Sequence, residues 1–234
     1  MPSGSLAALA HLPDRTSDGP AACQDHAVIR ARNATRADVP ALATALAGAF
    51  RGDPIWSWIA PDLDRWDRRA EGAFGPETAV KVRYGHTYTT DDRAGAALWA
   101  PPGTWRGSMA DALHVAVPML RLVGLAGSRR GIGVLRASER AHPKGDDHWY
   151  LAVLGTHPDH QGRGVGSALL QPVLERCDLD GSGAYLESSK PENVPFYERH
   201  GFAVTDIITP GGSPPLTLMW RDPRPPDPAP DGDG

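Results

Sequence analysis

The feature of this sequence that most constrains its fold is a strand, a glycine-rich turn and a helix in direct succession between Trp149 and Ser167. The apolar run WYLAVLG ends at Gly155, and after a short turn glycine occupies positions 162, 164 and 166. The helical pattern Ser-Ala-Leu-Leu-Gln follows directly. The first N–H groups of a helix lack intrahelical acceptors and carry partial positive charge, so this order predicts a site for a phosphate or pyrophosphate. A glycine triplet by itself is equally compatible with an ordinary capped loop.

Two common phosphate-binding loops do not fit the spacing of this turn. A P-loop ends in Gly-Lys-Ser or Gly-Lys-Thr, and Arg163-Gly164-Val165 contains no such lysine. A dinucleotide-binding turn has its third glycine where this chain has Ser167, and it starts directly at the end of the strand. Here the six residues from Thr156 to Gln161 lie between the strand and the glycines. The turn therefore belongs to another class of phosphate site.

The composition excludes several classes of function. The chain of 234 residues has a formal net charge of −4, whereas non-specific nucleic-acid binders have a basic surplus. Its two cysteines, Cys23 and Cys177, lie far apart in the sequence, which is typical of a reducing, cytoplasmic setting. No apolar run approaches the ~20 residues of a membrane span, so no membrane partner is expected.

Length and composition predict one globular domain over residues 27–220. Residues 1–26 are rich in Ala, Pro, Ser, Gly and Asp, and residues 221–234 are rich in Pro, Asp and Gly. Both segments are expected to be disordered extensions, since they contain too little apolar surface to form a core.

Hydrophobic periodicity predicts alternating strands and helices within the domain. The first strand is expected at Ala27–Ala31, a hairpin over residues 86–99, and a buried strand after the glycine turn at Ala184–Ser188. The helical pattern that begins at Met109 is expected to form two helices, because Pro118 and a glycine-rich stretch interrupt it.

A second motif, N-x-x-F-Y-x-x-x-G-F, occupies residues 193–202. With Q-G-R-G-V-G at residues 161–166, it resembles the GNAT N-acetyltransferases, in which a Q/R-x-x-G-x-G/A motif binds acetyl-CoA. The two motifs stand in the family's order, and the resemblance covers roughly Val28 to Trp220. The segments around the motifs are most similar to the actinobacterial branch that includes puromycin N-acetyltransferase.

The resemblance implies an α/β (α+β) fold with a central mixed, mostly antiparallel twisted sheet, splayed at its centre, and helices on both faces. The pantetheine arm of acetyl-CoA or CoA would lie in the splay and pair with the backbone near Val153 and Leu154. The pyrophosphate would lie against the glycine turn. The residues implied at that turn are Gln161, Gly162, Arg163, Gly164, Val165, Gly166 and Ser167.

By the same resemblance, Tyr197 is the general acid that protonates the leaving thiolate. An unperturbed tyrosine pKa near ~10 keeps the hydroxyl protonated at neutral pH and able to donate to a thiolate of comparable basicity. The alternative for Tyr197 is a core tyrosine packed beside Phe196 and Phe202. Asn193 would contact the cofactor or position Tyr197, and its alternative role is a helix N-terminal cap.

The general base is open among three candidates. Glu187 ends a buried strand beside the expected splay, where desolvation would raise the pKa of its carboxyl. His148 flanks the cofactor strand and titrates near neutrality, and a chain of water molecules could also carry the proton. His157 and His160 have a metal-like spacing, but no third ligand lies near them in the sequence, so no metal is expected.

The expected acceptor is a small-molecule primary amine, either antibiotic-like or a metabolite. Trp56 and Trp58 are candidates for the acceptor pocket together with Glu187, and the alternative for the aromatic cluster around them is simple core packing. Acetylation of a protein or peptide, or CoA sensing without catalysis, are the alternative functions. The sequence leaves the oligomeric state open, a homodimer included.

Overall fold

A computed structural model of the chain describes residues 29–145 and 147–224. The predicted N-terminal extension, the start of the first predicted strand and the last ten residues of the predicted tail lie outside the described residues. The strands are β1 Ala31–Asn33, β2 Thr87–Thr90, β3 Gly95–Ala100, β4 His148–Thr156, β5 Gly183–Ser188, β6 Ala203–Ile208 and β7 Leu216–Arg221. The α-helices are α1 Val39–Phe50, α2 Pro54–Ile59, α3 Leu63–Val82, α4 Met109–Ala141, α5 Val165–Asp180 and α6 Val194–Arg199.

The seven strands form one sheet in the order β1-β2-β3-β4-β5-β7-β6. Every neighbouring pair is antiparallel except β4 and β5, which are parallel. The β4–β5 pairing ends at Leu151 and Leu186, although β4 continues to Thr156. The prediction of a mixed, mostly antiparallel sheet that is splayed at its centre is confirmed.

A register shift in β4 accompanies the splay. Leu98 of β3 lies opposite Val153, and the next residue, Trp99, lies opposite Leu151, so Ala152 has no partner in β3. An extra residue of this kind bends a strand and increases its twist. The bend falls where β4 separates from β5, and it therefore helps to open the sheet at that point.

Helices cover both faces of the sheet and form two apolar cores, as predicted. On one face, Leu42 and Leu46 of α1 and Phe74 of α3 pack against Leu98. On the other face, α5 packs with Leu169, Leu170 and Val173 against Trp99, Leu151 and Leu186. Burying both faces explains why β3 is apolar at every position from Ala96 to Ala100.

Helix α4 is interrupted in the predicted glycine-rich stretch and not at Pro118. It runs through Pro118 and is broken only at Gly124, whose φ of 67° and ψ of −179° are not helical. By length and composition alone α4 could cross a membrane, since its most apolar 18-residue window has a mean hydropathy of 1.4. Only 17% of that window is buried in the structure.

The folded part extends slightly beyond the predicted boundary at Trp220. Strand β7 includes Arg221, whose side chain is 3% exposed and donates two hydrogen bonds of 2.8 Å to the carboxylate of Asp178. The backbone N–H of Arg224 donates to the same carboxylate at 2.7 Å. These contacts join the end of β7 to the last turns of α5.

Candidate active site

A cleft of about 500 Å³ opens where β4 and β5 separate. Its walls are the unpaired half of β4, the end of β5, the first turn of α5 and the exposed side of α6. The pairing of β4 with β5 stops at Leu151 and Leu186, and residues 189–193 then lead from β5 into α6. The motifs predicted from the sequence therefore meet at one place, although Val153 and Tyr197, for example, are 44 positions apart.

Val153 and Leu154 lie in the part of β4 that has β3 on one side only. They pair with Leu98 and Ala97, and within the described chain no strand pairs with them on the side of β5. A strand edge leaves N–H and C=O groups without partners, and an extended chain with amide groups can add to it as a strand would. Both residues line the cleft.

The glycine turn places the start of α5 at the mouth of the cleft. Gly164 is the N-cap of α5 with a φ of 87°, and Gly162 has a φ of 74°, both in the left-handed region that glycine adopts without strain. The N–H groups of Val165, Gly166 and Ser167 belong to the first turn of the helix and have no acceptor within it.

The side chains around the glycine turn support its shape. Gln161 Nε2 donates to the carbonyl of Thr156 at 3.0 Å and so bridges the turn back to β4. Ser167 Oγ lies 2.9 Å from His200 Nε2, which connects α5 to the end of α6. The side chain of Arg163 is exposed at the tip of the turn.

Tyr197 lies in α6 with only 7% of its surface exposed, and it lines the cleft. Its ring makes edge contacts with Phe196 and Phe202, at centroid distances of 5.1 and 6.0 Å. Burial, and secondarily the negative charge of Asp53, raise the pKa of the Tyr197 hydroxyl above its ordinary value. Tyr197 therefore stays protonated across the neutral range.

Asn193 is exposed at the edge of the cleft, in the residue that precedes α6. Its side chain makes no capping hydrogen bond to the first turn of α6. Asn193 therefore stands at the N-cap position, as considered from the sequence, without capping the helix through its side chain.

Glu187 occupies the floor of the cleft, one residue beyond the last β4–β5 pair. Its carboxylate accepts hydrogen bonds from Tyr185 at 3.2 Å and from Tyr150 at 3.4 Å, and the hydroxyl of Ser138 also donates to it. Burial raises the pKa of the Glu187 carboxyl despite these three donors. The residue is therefore a desolvated acid held in a fixed orientation.

His148 lies at the other end of β4, and the lining of the cleft does not include it. Its Nε2 is 3.0 Å from Nε2 of His142, and both imidazoles are buried. Burial, the neighbouring His148 and Arg106 lower the pKa of His142 to about 4. The ring of Trp105 stacks on the ring of His142 at a centroid distance of 3.8 Å and so covers one face of this imidazole.

Trp56 and Trp58 are not brought to the cleft. Trp56 packs in an aromatic cluster of the core, with ring centroids 5.6 Å from Trp66 and 5.4 Å from Phe74. Arg130 of α4 lies over the ring of Trp58 and donates to its carbonyl at 2.8 Å. Both tryptophans belong to α2, whose polar end, not its aromatic side chains, faces the cleft.

That polar end contains Asp53, a cleft residue that the sequence analysis did not single out. Its side chain caps α2 by accepting from the N–H of Trp56 at 3.1 Å, and it also accepts from Ser189 Oγ at 2.5 Å. An Asp before Pro at a helix start is a recognisable N-cap signal. Its contact with Ser189 depends on the tertiary fold, which no local signal reveals.

The residues present fit acetyl-CoA in two respects. The strand edge at Val153 and Leu154 offers backbone groups to the amides of pantetheine, and the first turn of α5 offers N–H groups to a pyrophosphate. Gly162 and Gly164 leave open space above that turn, since a Cβ at either position would meet no heavy atom within 4 Å.

Comparison with known proteins agrees with this geometry. Residues 99–202 match the sequence model of the acetyltransferase (GNAT) family. An uncharacterized N-acetyltransferase of Schizosaccharomyces pombe is 39% identical over 83 residues, which make up 34% of this chain and 34% of that protein. A mycothiol acetyltransferase of Propionibacterium freudenreichii is 38% identical over 76 residues, 30% of this chain and 23% of that protein. The matches thus span about a third of the first relative and about a quarter of the second.

A solved structure from Corynebacterium glutamicum, described as histone acetyltransferase HPA2 and related acetyltransferase, has the same fold over most of its length. The two chains are 25% identical with a TM-score of 0.60, over 85% of this chain and 98% of that one. Residues 99–202 therefore carry the sequence signature of the GNAT acetyltransferases, and the chain has the fold of that family.

Proposed function

We propose that this protein transfers the acetyl group of acetyl-CoA to a primary amine of a small molecule, either antibiotic-like or a metabolite. The observation that carries the proposal is the separation of β4 from β5 directly beside the first turn of α5. Strand β4 offers a free edge to the amide-containing arm of acetyl-CoA, and the N-terminus of α5 offers N–H groups to its pyrophosphate.

When bound, acetyl-CoA supplies an activated acetyl thioester. Tyr197 donates its proton to the departing sulfur, a role supported by its place in the cleft and by the raised pKa that keeps it protonated. Asn193, at the cleft edge beside Tyr197, contacts the cofactor.

Glu187 accepts the proton of the attacking amine, directly or through water. Its carboxylate is exposed to the cleft and fixed by donors from three different elements, so it needs no rearrangement to act. The raised pKa brings the carboxyl closer to the range useful for a general base.

A compact acceptor is supported by what surrounds Glu187. Tyr150 and Tyr185 are stacked at a centroid distance of 6.0 Å, and α4 supplies Ser138 from above. These side chains crowd the Glu187 carboxylate, and a small amine needs less room beside it than a folded protein does. The resemblance to the puromycin N-acetyltransferase branch favours the same class of acceptor.

The test is thiol release from acetyl-CoA over a panel of aminonucleosides, arylalkylamines, polyamines and peptides, with calorimetric titration of CoA beside it. We expect CoA binding and release with at least one small amine. Release with peptides alone would assign a protein acceptor. Binding without release over the whole panel would indicate a sensor, and no binding at millimolar CoA would refute the proposal.

A further inference from the structure

Helix α4 has an exposed apolar face that is unusual for a soluble domain. Of the twelve large hydrophobic side chains that are exposed among the described residues, seven belong to this one helix. The seven, called here the α4 face, are Met109, Leu113, Val117, Leu120, Leu125, Ile132 and Leu135. Their exposed fractions range from 42% to 77%, so together they present an apolar area on the order of several hundred Å². The largest apolar patch of a monomeric protein is about 300–600 Å².

The opposite side of α4 is fixed to the domain. Leu122 and Val123 are buried in the core with α1 and α3. Gly127 approaches α2 so closely that a Cβ there would lie 2.3 Å from the carbonyl oxygen of Ile59. The helix is thus a packed element of the folded domain, and its α4 face points outward as a consequence.

The charges on α4 are distributed unevenly along it. Four exposed arginines, Arg129, Arg130, Arg136 and Arg140, follow the break at Gly124, whereas Arg121 is the one exposed arginine of the described helix before it. A parallel pairing with an identical helix would bring each arginine close to its own copy. An antiparallel pairing lays the arginine-rich half on the half that is almost free of charge.

We infer that a second copy of this chain packs on the α4 face, antiparallel to the first, about a two-fold axis near Gly124. In that register Leu113 lies opposite the partner's Leu135, and Val117 lies opposite the partner's Ile132. The face is therefore complementary to itself, as a two-fold interface requires. Its area is of the same order as the ~800 Å² that one partner contributes to an interface of standard size.

The first experiment measures the mass of the full chain in solution by light scattering and sedimentation, between about 1 and 100 μM. A monomer has a mass of 25.0 kDa, and a dimer has twice that mass. Wild type is expected to form a dimer, and Leu113→Glu is expected to weaken it at least 100-fold by placing a charge in the apolar contact. Leu179→Glu is the matched control, because Leu179 is 81% exposed on α5, outside the α4 face. It should leave the dimer unchanged.

The second experiment tests the orientation. In an antiparallel dimer the double variant Leu113→Glu/Leu135→Lys pairs opposite charges across the axis, so the dimer is expected to return. A parallel dimer would pair like charges and stay dissociated, which would overturn the register. Leu113→Ala, with an expected weakening of about tenfold, replaces Leu113→Glu if circular dichroism shows that the charged variant does not fold.

Three results would overturn the inference as a whole. One is a monomer at 100 μM, and another is a dimer that Leu113→Glu leaves intact. The third is a monomer that binds vesicles of anionic lipid through α4, since the face would then belong to a membrane surface. The dimer does not depend on the proposed acetyl transfer, and CoA binding is expected to be the same in Leu113→Glu as in wild type.

Discussion

Asp53 and Ser189 are 136 positions apart, and their side chains form a hydrogen bond of 2.5 Å at the wall of the cleft. Asp53 also caps α2, while Ser189 follows the last residue of β5. The bond therefore joins the N-terminal half of the domain to the strand that carries Glu187. Asp53 is 1% exposed, and its charge contributes to the raised pKa of Tyr197.

Replacing Ser189 with Ala should loosen this connection. The buried carboxylate of Asp53 would lose a donor, and we expect the free energy of unfolding to fall by about 1–2 kcal/mol. Because both residues line the cleft, the KM for the acceptor should rise as well. Denaturant unfolding and steady-state kinetics measure the two effects. Ser182→Ala is the control, since the Ser182 hydroxyl has no hydrogen-bond partner in the described part of the chain, and equal effects from both variants would contradict the role of the bond.

Replacing Tyr197 with Phe should reduce turnover and leave cofactor affinity unchanged. In the proposed mechanism the hydroxyl donates a proton only in the chemical step, so we expect kcat to fall by about 10²-fold or more, with the Kd for CoA within about twofold of wild type. Stopped-flow thiol release and calorimetry give the two values. Tyr88→Phe removes a half-buried hydroxyl outside the cleft and should behave as wild type. Unchanged kcat in Tyr197→Phe would remove the tyrosine from the mechanism.

Gly164 and Gly181 form a natural matched pair at the two ends of α5. Both have left-handed backbone torsions, with φ values of 87° and 66°, and neither has a heavy atom within 4 Å of a built Cβ. Alanine at either position should destabilise the protein by about 1–2 kcal/mol. Only Gly164→Ala should also weaken CoA binding, by about tenfold, because only that end of the helix faces the cleft. Equal CoA affinities in the two variants would place the pyrophosphate elsewhere.

Glu187→Gln should alter the pH profile of the reaction. Burial raises the pKa of this carboxyl, so the carboxylate that accepts a proton is lost as the pH falls through the raised pKa. Wild-type kcat/KM should therefore show an acidic limb that the variant lacks, at a lower overall rate. An acidic limb that survives in Glu187→Gln would assign the base to another group.

The raised pKa of Glu187 should also make the free energy of unfolding depend on pH. A carboxyl whose pKa is raised in the folded state binds its proton more tightly there than in the unfolded chain. Its contribution to stability is fully present below the unfolded pKa and is lost as the pH rises through the folded pKa. Wild type should thus lose stability relative to Glu187→Gln as the pH rises from 4 to 8. Thermal unfolding across that range checks the sign, and Glu192→Gln, on the exposed surface, should show no such trend.

Much of the fold could be predicted because the sequence patterns that specify its strands, turns and helices act over a few neighbouring residues. The strand–glycine turn–helix order around Gly164 and the residues of α6 follow from backbone preferences that act within a few positions. The hairpin of β2 and β3 was predicted for the same reason and is confirmed. In α4 the interruption predicted in the glycine-rich stretch occurs at Gly124, but the one predicted at Pro118 does not, because tertiary contacts compensate for the local penalty of the proline. Pro118 lies in a helix that α3 and the core already hold in place.

Of the candidate site, only the side formed by β4, α5 and α6 could be predicted from the sequence. The sequence by itself determined where β4, α5 and α6 form and which backbone groups they leave without partners, since these depend on glycine torsions and helix ends. Only the tertiary structure decided that Trp56 enters the core, that Asp53 meets Ser189, and that Ser138, Tyr150 and Tyr185 surround Glu187. Those contacts arise between residues far apart in the chain, where packing of side chains from different elements, and no local periodicity, sets the distances.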